Sequence, residues 1–205
     1  MLGFVLLPLC LLVITLLLTF SSLNAFRSQS EDNLKGDRVV TQTHLIKKLM
    51  LDLEEALRAY ALTQDPIFLN QYEHAHENLD PQIAKLKEML GNDGTLVMKV
   101  EQASTLSKKW RDSVQLSTMK NKVYNPATFN KDPALKQRML DRKDTMAQFQ
   151  EDMNGLIQDE QNYKEKRLTE FESDQKSFTS AMSFLYLVIG FLILFSGRAH
   201  FKNLA

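Results

Sequence analysis

The hydrophobic positions of this chain form two uncharged, apolar ends on either side of a long polar middle. The N-terminal run covers residues 1–20, and the C-terminal run covers residues 181–197. A bilayer core about 30 Å thick is spanned by roughly 20 helical residues that rise about 1.5 Å each. The pattern therefore predicts transmembrane helices at residues 2–25 and 181–197. Between them we expect an extracytoplasmic domain at residues 27–180, and after them a short cytoplasmic tail at residues 198–205.

The polar middle carries apolar residues at helical spacing and almost no strand pattern. Residues three, four or seven apart share one face of a helix, and the spacing predicts four helices near residues 37–62, 66–90, 94–122 and 134–197. Such helices bury their apolar stripes only against one another, so we expect an all-α, antiparallel four-helix bundle whose first and last helices continue into the transmembrane helices. The stripes are Val39, Ile46, Leu49, Leu53, Ala56 and Tyr60; Phe68, Tyr72, Ala75, Leu79, Ile83, Leu86 and Leu90; Val97, Val100, Ala103, Trp110 and Val114; and Met139, Met146, Phe149, Met153, Leu156 and Tyr163.

The links between these helices contain residues that start and stop helices. Asp65 supplies an N-cap oxygen for the second helix, and Pro66 is tolerated at its first position. The Gly-Asn-Asp-Gly sequence at residues 91–94 predicts a helix stop and a turn, and the two Asx-Pro steps at residues 125–133 predict a loop. Pro81 predicts a kink within the second helix, because the apolar stripe continues past it.

The seam of the fourth helix becomes polar towards its C-terminal end. Steps of seven residues from Met153 reach Glu160, Arg167 and Asp174. A polar seam holds helices together less firmly than an apolar one does. Two interpretations remain open at this point: the helices separate there around a hydrated seam, or they form a switch in which one helix shifts against another.

The charge balance and the cysteine count exclude two features. The chain has 25 basic and 25 acidic residues, and only Arg198 and Lys202 lie outside the polar middle. An evenly mixed surface gives no electrostatic footprint for nucleic acid, so we expect no nucleic-acid partner. Cys10 is the single cysteine and lies in the first apolar run, so no internal disulfide is possible.

The basic tail also predicts the orientation in the membrane. Arg198 and Lys202 place the C-terminus in the cytoplasm by the positive-inside rule. Two crossings then place the N-terminus on the same side of the plasma (inner) membrane and residues 27–180 in the periplasm. A cleaved signal peptide is the alternative for the first run. However, the run lacks a basic start and exceeds the usual apolar length of about 7–15 residues, which favours an uncleaved anchor.

Two groups of side chains could bind a ligand. Glu73, His76 and Glu77 fall on one helical face and are candidate metal ligands, although an exposed polar face gives the same pattern. Arg58 could bind a carboxylate or a phosphate, but a structural ion pair with an acidic neighbour is favoured. The sequence has no Gly-rich phosphate loop, no Cys-His pairing and no pair of Glu-x-x-His motifs. It therefore predicts neither an enzyme nor a cofactor.

The first predicted hairpin and the fourth helix carry a recognisable pattern. Residues 58–60 read Arg-Ala-Tyr and residues 62–65 read Leu-Thr-Gln-Asp. They resemble the first hairpin of CHASE3 domains, which are extracytoplasmic four-helix sensory modules of bacterial signal-transduction proteins. The family has glycine where this chain has Ala59 and Gln64. The resemblance covers about residues 30–180, with chemoreceptor four-helix ligand domains as the nearest alternative. The resemblance implies that five residues are signature positions of the family and candidate signalling residues. They are Arg58, Tyr60, Asp65, Glu160 and Arg167.

This resemblance implies a sensor. We expect the domain to detect a signal or a partner and to pass a helix shift through the two transmembrane helices. Because only residues 198–205 follow the second apolar run, the output is expected to come from a separate signalling protein. The expected partners are the lipid bilayer and either a second copy of the chain or that signalling protein. The alternative is a structural or assembly protein of the envelope that uses the bundle as a scaffold or dimerisation module.

Overall fold

The structure, a computed structural model, is all-helical with no strands over the residues that it describes. These are residues 2–91, 93–114 and 133–202, without the side chains of residues 2–9, 134–135, 193 and 195–202. The all-α class predicted from the sequence is confirmed for this part of the chain. The helices are α1 (Leu2–Thr63), α2 (Pro66–Leu90), α3 (Gly94–Asp112) and α4 (Pro133–Lys202).

Helices α1 and α4 each join a polar segment to an apolar terminal segment without interruption. Helix α2 has the predicted bounds, and it passes through Pro81. Asp93 caps α3, because its carboxylate accepts a hydrogen bond from the backbone N–H of Leu96 at 3.1 Å. The helix stop at residues 91–94 is also confirmed, since Gly91 ends α2 at a φ of +60°.

Helix α3 is shorter than the apolar stripe predicted. It ends at Asp112 and not near residue 122. The Ser113 hydroxyl donates to the Trp110 carbonyl at 2.6 Å, and the Val114 N–H donates to the Arg111 carbonyl at 2.9 Å. These three-residue turns replace the helical hydrogen-bond pattern. The rest of the predicted third helix and most of the predicted loop at residues 125–133 lie outside the described residues.

The described chain divides into a central unit, residues 35–162, and a terminal unit made of residues 1–34 and 163–205. In the central unit, one cluster of buried side chains receives contributions from all four helices, so the predicted stripes largely form this core. Two predicted members, Met139 and Tyr163, are instead 40% and 47% exposed. Met139 lies within two turns of the start of α4, and Tyr163 belongs to the terminal unit. The largest fully buried side chains of the cluster are Phe149, Ile46, Met50, Leu53, Leu79, Leu86, Met153 and Leu156.

The terminal unit brings the N-terminal part of α1 against the C-terminal part of α4. The rings of Phe26 and Phe171 lie with their centroids 6.0 Å apart. Near them, the Gln29 side-chain amide donates to the Arg167 carbonyl at 3.1 Å. Further towards the N-terminus, the Thr15 hydroxyl donates to the Leu12 carbonyl of its own helix at 2.7 Å. That bond satisfies a polar group inside an otherwise apolar run.

Candidate functional site

The turn between α1 and α2 is built by two residues that depart from helical conformation. Gln64 has a φ of +58°, and its backbone N–H donates to the Tyr60 carbonyl at 2.8 Å. Its side-chain amide donates to the same carbonyl at 3.2 Å. Asp65 then caps α2, because its carboxylate accepts from the Ile67 N–H at 2.9 Å. The N-cap predicted at Asp65 is confirmed, and this two-residue link brings α1 and α2 side by side.

A groove of about 640 Å³ lies between α1 and α2 below this turn. We call it the hairpin groove. Its volume falls in the range of about 300–1,000 Å³ that is typical of small-molecule sites. The apolar part of the lining is Ala56, Ala59, Ile67, Phe68 and Ala75, and the polar part is Asp52, Glu55, Asn70, Gln71 and His74.

Small side chains on both helices create the hairpin groove. Ala56 and Ala75 are 4% and 2% exposed, so they form its apolar floor. Larger residues at these positions would fill the space between neighbouring helices. Ile67 is 54% exposed and lies at the edge. The lining therefore combines a closed apolar floor with an open, polar rim.

Of the three carboxylates near the hairpin groove, two have an ion-pair partner among the described residues and one has none. Asp52 accepts from the Lys48 ammonium group at 2.7 Å, and Glu54 accepts from Arg58 at 2.7 Å. Glu55 is exposed and, within the described part of the chain, has neither an ion pair nor a hydrogen bond through its carboxylate. No lysine or arginine is among the described residues that line the groove. The hairpin groove thus carries a carboxylate whose charge is not compensated by a direct partner.

The signature residues Arg58 and Tyr60 lie outside the lining of the hairpin groove and have structural contacts. Arg58 pairs with Glu54 one turn earlier on its own helix, and its side chain is 68% exposed. This pairing fits the structural role that the sequence favours for Arg58. Tyr60 is only 8% exposed, so its side chain belongs to the core. Neither residue lines the hairpin groove, although Ala59 between them does.

The other predicted candidates lie elsewhere. Glu73, His76 and Glu77 are exposed on α2, and the His76 ring lies 6.0 Å from the ring of Tyr72. Among the described residues, no three His, Cys, Asp or Glu side chains come together as a metal site requires. Glu160 is 9% exposed in the central unit, as its place in the stripe predicts. Arg167 is half-buried in the terminal unit.

A polar layer that the sequence did not indicate lies beside the core of the central unit, and it comprises Arg111, Asp80, Tyr72 and Arg142. The Arg111 side chain is 6% exposed and donates two hydrogen bonds to Asp80 on α2. Burial raises the pKa of Tyr72, although Arg111 and Arg142 act in the opposite direction. Burial and the charge of Arg138 lower the pKa of Arg142. Arg111 directly follows the stripe residue Trp110, and the spacing of the apolar residues gave no sign that it is buried.

A second set of charged side chains lies between α3 and α4 and consists of Lys99, Asp159 and Asp152. The ammonium group of Lys99 pairs with Asp159 across the two helices. Asp152, about two turns before Asp159 on the same face of α4, has a buried Oδ2 atom without a hydrogen-bond partner in the described structure. Burial raises the pKa of Asp152, as does the charge of Glu151, whereas Lys99 lowers it. This carboxylate is therefore held in a site that disfavours its ionised form.

Comparison with known protein families gives a match over most of the chain. The family model of the CHASE3 domain matches residues 30–170 of the chain. Comparison with curated proteins finds no significant relative, and comparison with solved structures finds no significant match. The matched segment contains the hairpin groove, the polar layer and the positions Glu160 and Arg167. It covers well over half of the chain.

Proposed function

Because the chain belongs to the CHASE3 family, whose members are extracellular sensory domains of signalling proteins, we propose that it is a membrane-anchored sensory module. Its central unit detects a signal or a partner outside the cytoplasm. A shift of α1 against α4 then passes through two transmembrane helices to a partner signalling protein. CHASE3 domains are sensory and not catalytic, so no reaction is proposed. The observation that carries the proposal is the family match over residues 30–170.

The exposed apolar side chains of the terminal unit support membrane anchoring. Eight large apolar side chains are between 61% and 75% exposed, a pattern that marks a lipid or protein contact. They are Leu12, Leu16, Leu17, Phe20, Phe184, Leu187, Phe191 and Leu194. Among the described residues, one helix segment, Cys10–Thr63, has the length and composition to cross a membrane, and a signal sequence would meet the same criterion. The second crossing, at residues 181–197, is part of the proposal.

Contacts between the helices support an antiparallel bundle. Lys87 of α2 pairs with Glu101 of α3, and Asp80 pairs with Arg111. Residue numbers therefore fall along α2 as they rise along α3, which is the register of antiparallel neighbours. The two-residue link at Gln64 and Asp65 gives α1 and α2 the same relation.

The lengths of α1 and α4 support transmission along these two helices. Each has residues in the central unit and residues in the terminal unit. Packed helices change register in small, discrete steps, and such steps are a common switching element. Glu160 places a polar side chain at a buried position of α4, and a polar seam holds packed helices together less firmly than an apolar one does. The proposed arrangement has both termini in the cytoplasm and the central unit outside it.

Cysteine crosslinking in the terminal unit tests the proposed function. In a Cys10→Ser background, Phe26→Cys and Phe171→Cys introduce two thiols at neighbouring positions, whose wild-type rings lie with their centroids 6.0 Å apart. We expect the rate of disulfide crosslinking in cells to change with envelope stress or added ligand. We also expect Glu160→Gln or Arg167→Gln to change that rate while the protein remains folded. A rate that stays constant under all these conditions would contradict a sensor and favour the scaffold alternative.

A further inference from the structure

We propose that the hairpin groove binds a small organic cation, namely a primary amine with a short apolar or aromatic body. The role of the site as a signal input rests on the proposed sensory function. Binding of the amine does not, because it is measured in a separate experiment. The observation behind it is a cavity of ligand size that combines an apolar floor with an unpaired carboxylate.

The shape of the groove fits an organic molecule better than a bare ion. Ala56 and Ala75 form a buried floor, and the half-buried Phe68 adds an aromatic side chain to the lining. Such a surface stabilises an apolar body at about 25 cal/mol for each Å² removed from water. Within the described residues, no group of His, Cys, Asp or Glu is arranged to hold a metal ion. A hydrated metal ion would leave the apolar floor unused.

The charge of the groove selects a cation. Glu55 has no direct partner in the described structure, and Asp52 shares its charge with only one exposed lysine, Lys48. An anionic ligand would meet carboxylates without an arginine or lysine on the lining to compensate them. An ammonium group would instead form a charge-assisted hydrogen bond with Glu55.

The polar rim supplies further acceptors for such a ligand. Asn70 and Gln71 lie on α2 across the groove from Glu55 on α1. An ammonium group has three N–H donors, and each of these amide side chains offers a carbonyl oxygen that accepts. A ligand held by Glu55 on one helix and by an amide on the other would tie α1 to α2. The bound amine would therefore bias the position of α1, one of the two helices in the proposed signalling route.

Calorimetric titration of the full chain in lipid nanodiscs tests this site. The probes are phenethylammonium and butylammonium, and the control is 3-phenylpropionate, which has a similar body with the opposite charge. We expect at least one cation to bind saturably with a Kd below about 1 mM, and the carboxylate control not to bind. The proposal is overturned if neither cation binds, or if the control binds equally well.

Matched variants locate the binding. Glu55→Gln removes the charge and keeps the shape, so we expect an increase in Kd of about tenfold or more. Ala59→Leu fills the groove from a partly exposed position and should abolish binding. Glu88→Gln makes the same charge change fourteen residues beyond His74 on α2, about 21 Å away at 1.5 Å per residue, and should leave the Kd unchanged. Circular dichroism confirms that each variant is folded, and an unchanged Kd in both groove variants would place the binding elsewhere and overturn the proposal.

The two proposals fail in distinguishable ways. If an amine binds but leaves crosslinking of the terminal unit unchanged under all conditions, the amine site stands and the sensory function falls. If crosslinking responds to envelope stress but no cation binds, the sensory function stands and the amine site falls. Binding that also changes the crosslinking rate, and that Glu55→Gln weakens in both assays, supports both.

Discussion

The guanidinium of Arg111 donates to both carboxylate oxygens of Asp80, at 2.6 and 3.1 Å, and so joins α3 to α2. The two partners lie in unlike environments: the Arg111 side chain is 6% exposed, whereas that of Asp80 is 53% exposed. The pair lets an arginine lie beside the core of the central unit. The charge that needs a partner is therefore that of the arginine, not that of the aspartate.

Asp80→Ala is expected to destabilise the protein by about 2 kcal/mol, because it leaves a buried guanidinium without its acceptor. The measurement is the free energy of unfolding from denaturant titration. Lys48→Ala serves as the control, since it removes an exposed i,i+4 ion pair with Asp52 and should cost less than about 0.5 kcal/mol. Equal effects of the two substitutions would show that burial of Arg111 does not determine the energy.

Gln64→Gly is expected to stabilise the protein by about 0.5 kcal/mol. Gln64 has a φ of +58°, a conformation that costs a non-glycine residue about 1 kcal/mol. Glycine removes that cost but loses the side-chain bond to the Tyr60 carbonyl. Gln64→Ala keeps the strain and loses the same bond, so it should destabilise. The midpoints of thermal unfolding for the two variants should therefore move in opposite directions.

Ala59→Gly restores the second glycine of the family pattern, and it is expected to have the opposite effect on stability to Gln64→Gly. Ala59 lies inside α1, where glycine costs about 1 kcal/mol relative to alanine. We expect this variant to be less stable than the wild type. A gain in stability from Ala59→Gly, or a loss from Gln64→Gly, would contradict the backbone explanation.

The sequence predicted those parts of the structure that depend on local patterns. The stripes through Ile46 and Leu53 on α1 and through Leu79 on α2 identified core residues, because a helix repeats every 3.6 residues. Asp65 was identified as an N-cap because its oxygen acts on its own neighbours. The left-handed conformation of Gln64 was not predicted, since the residue usually found there, glycine, is absent.

The hairpin groove and the end of α3 could not be predicted from the sequence, because they depend on contacts between helices or on competing local hydrogen bonds. Ala56 and Ala75 fit an ordinary core stripe, and nothing in their spacing shows that a gap remains beside them. The stripe of α3 reaches Val114, which is buried, although the helix has already ended at Asp112. Burial there comes from a turn and not from a continued helix.

Asp152→Asn is expected to stabilise the protein near pH 7, by less than about 1 kcal/mol because the residue is partly exposed. The pKa of Asp152 is raised from its usual value of 3.8, chiefly by burial, so the ionised form is less stable in the folded state than in the unfolded state. This penalty is absent below pH 3.8, where the carboxyl is protonated in both states. It develops as the pH rises through the raised pKa.

Unfolding curves of wild type and Asp152→Asn at several pH values provide the measurement. The two proteins should be equally stable near pH 3, with a gap that opens as the pH increases. Glu151→Gln in the wild-type background removes a charge that raises the pKa of Asp152, so it should reduce the penalty in the same pH range. A gap that is constant with pH would mean that ionisation of Asp152 is not its cause.

Thiol labelling tests the two-pass topology that the proposed function requires. In the Cys10→Ser background, Gln102→Cys places a thiol on an exposed position of α3, and Asn203→Cys places one after the second apolar run. A membrane-impermeant maleimide should label the first variant in intact spheroplasts and the second only after lysis, because the positive-inside rule assigns Arg198 and Lys202 to the cytoplasm. Labelling of both variants in intact spheroplasts would mean that residues 181–197 do not cross the membrane. A signal could then reach the cytoplasm through α1 alone, and the proposed shift of α1 against α4 would lose its route.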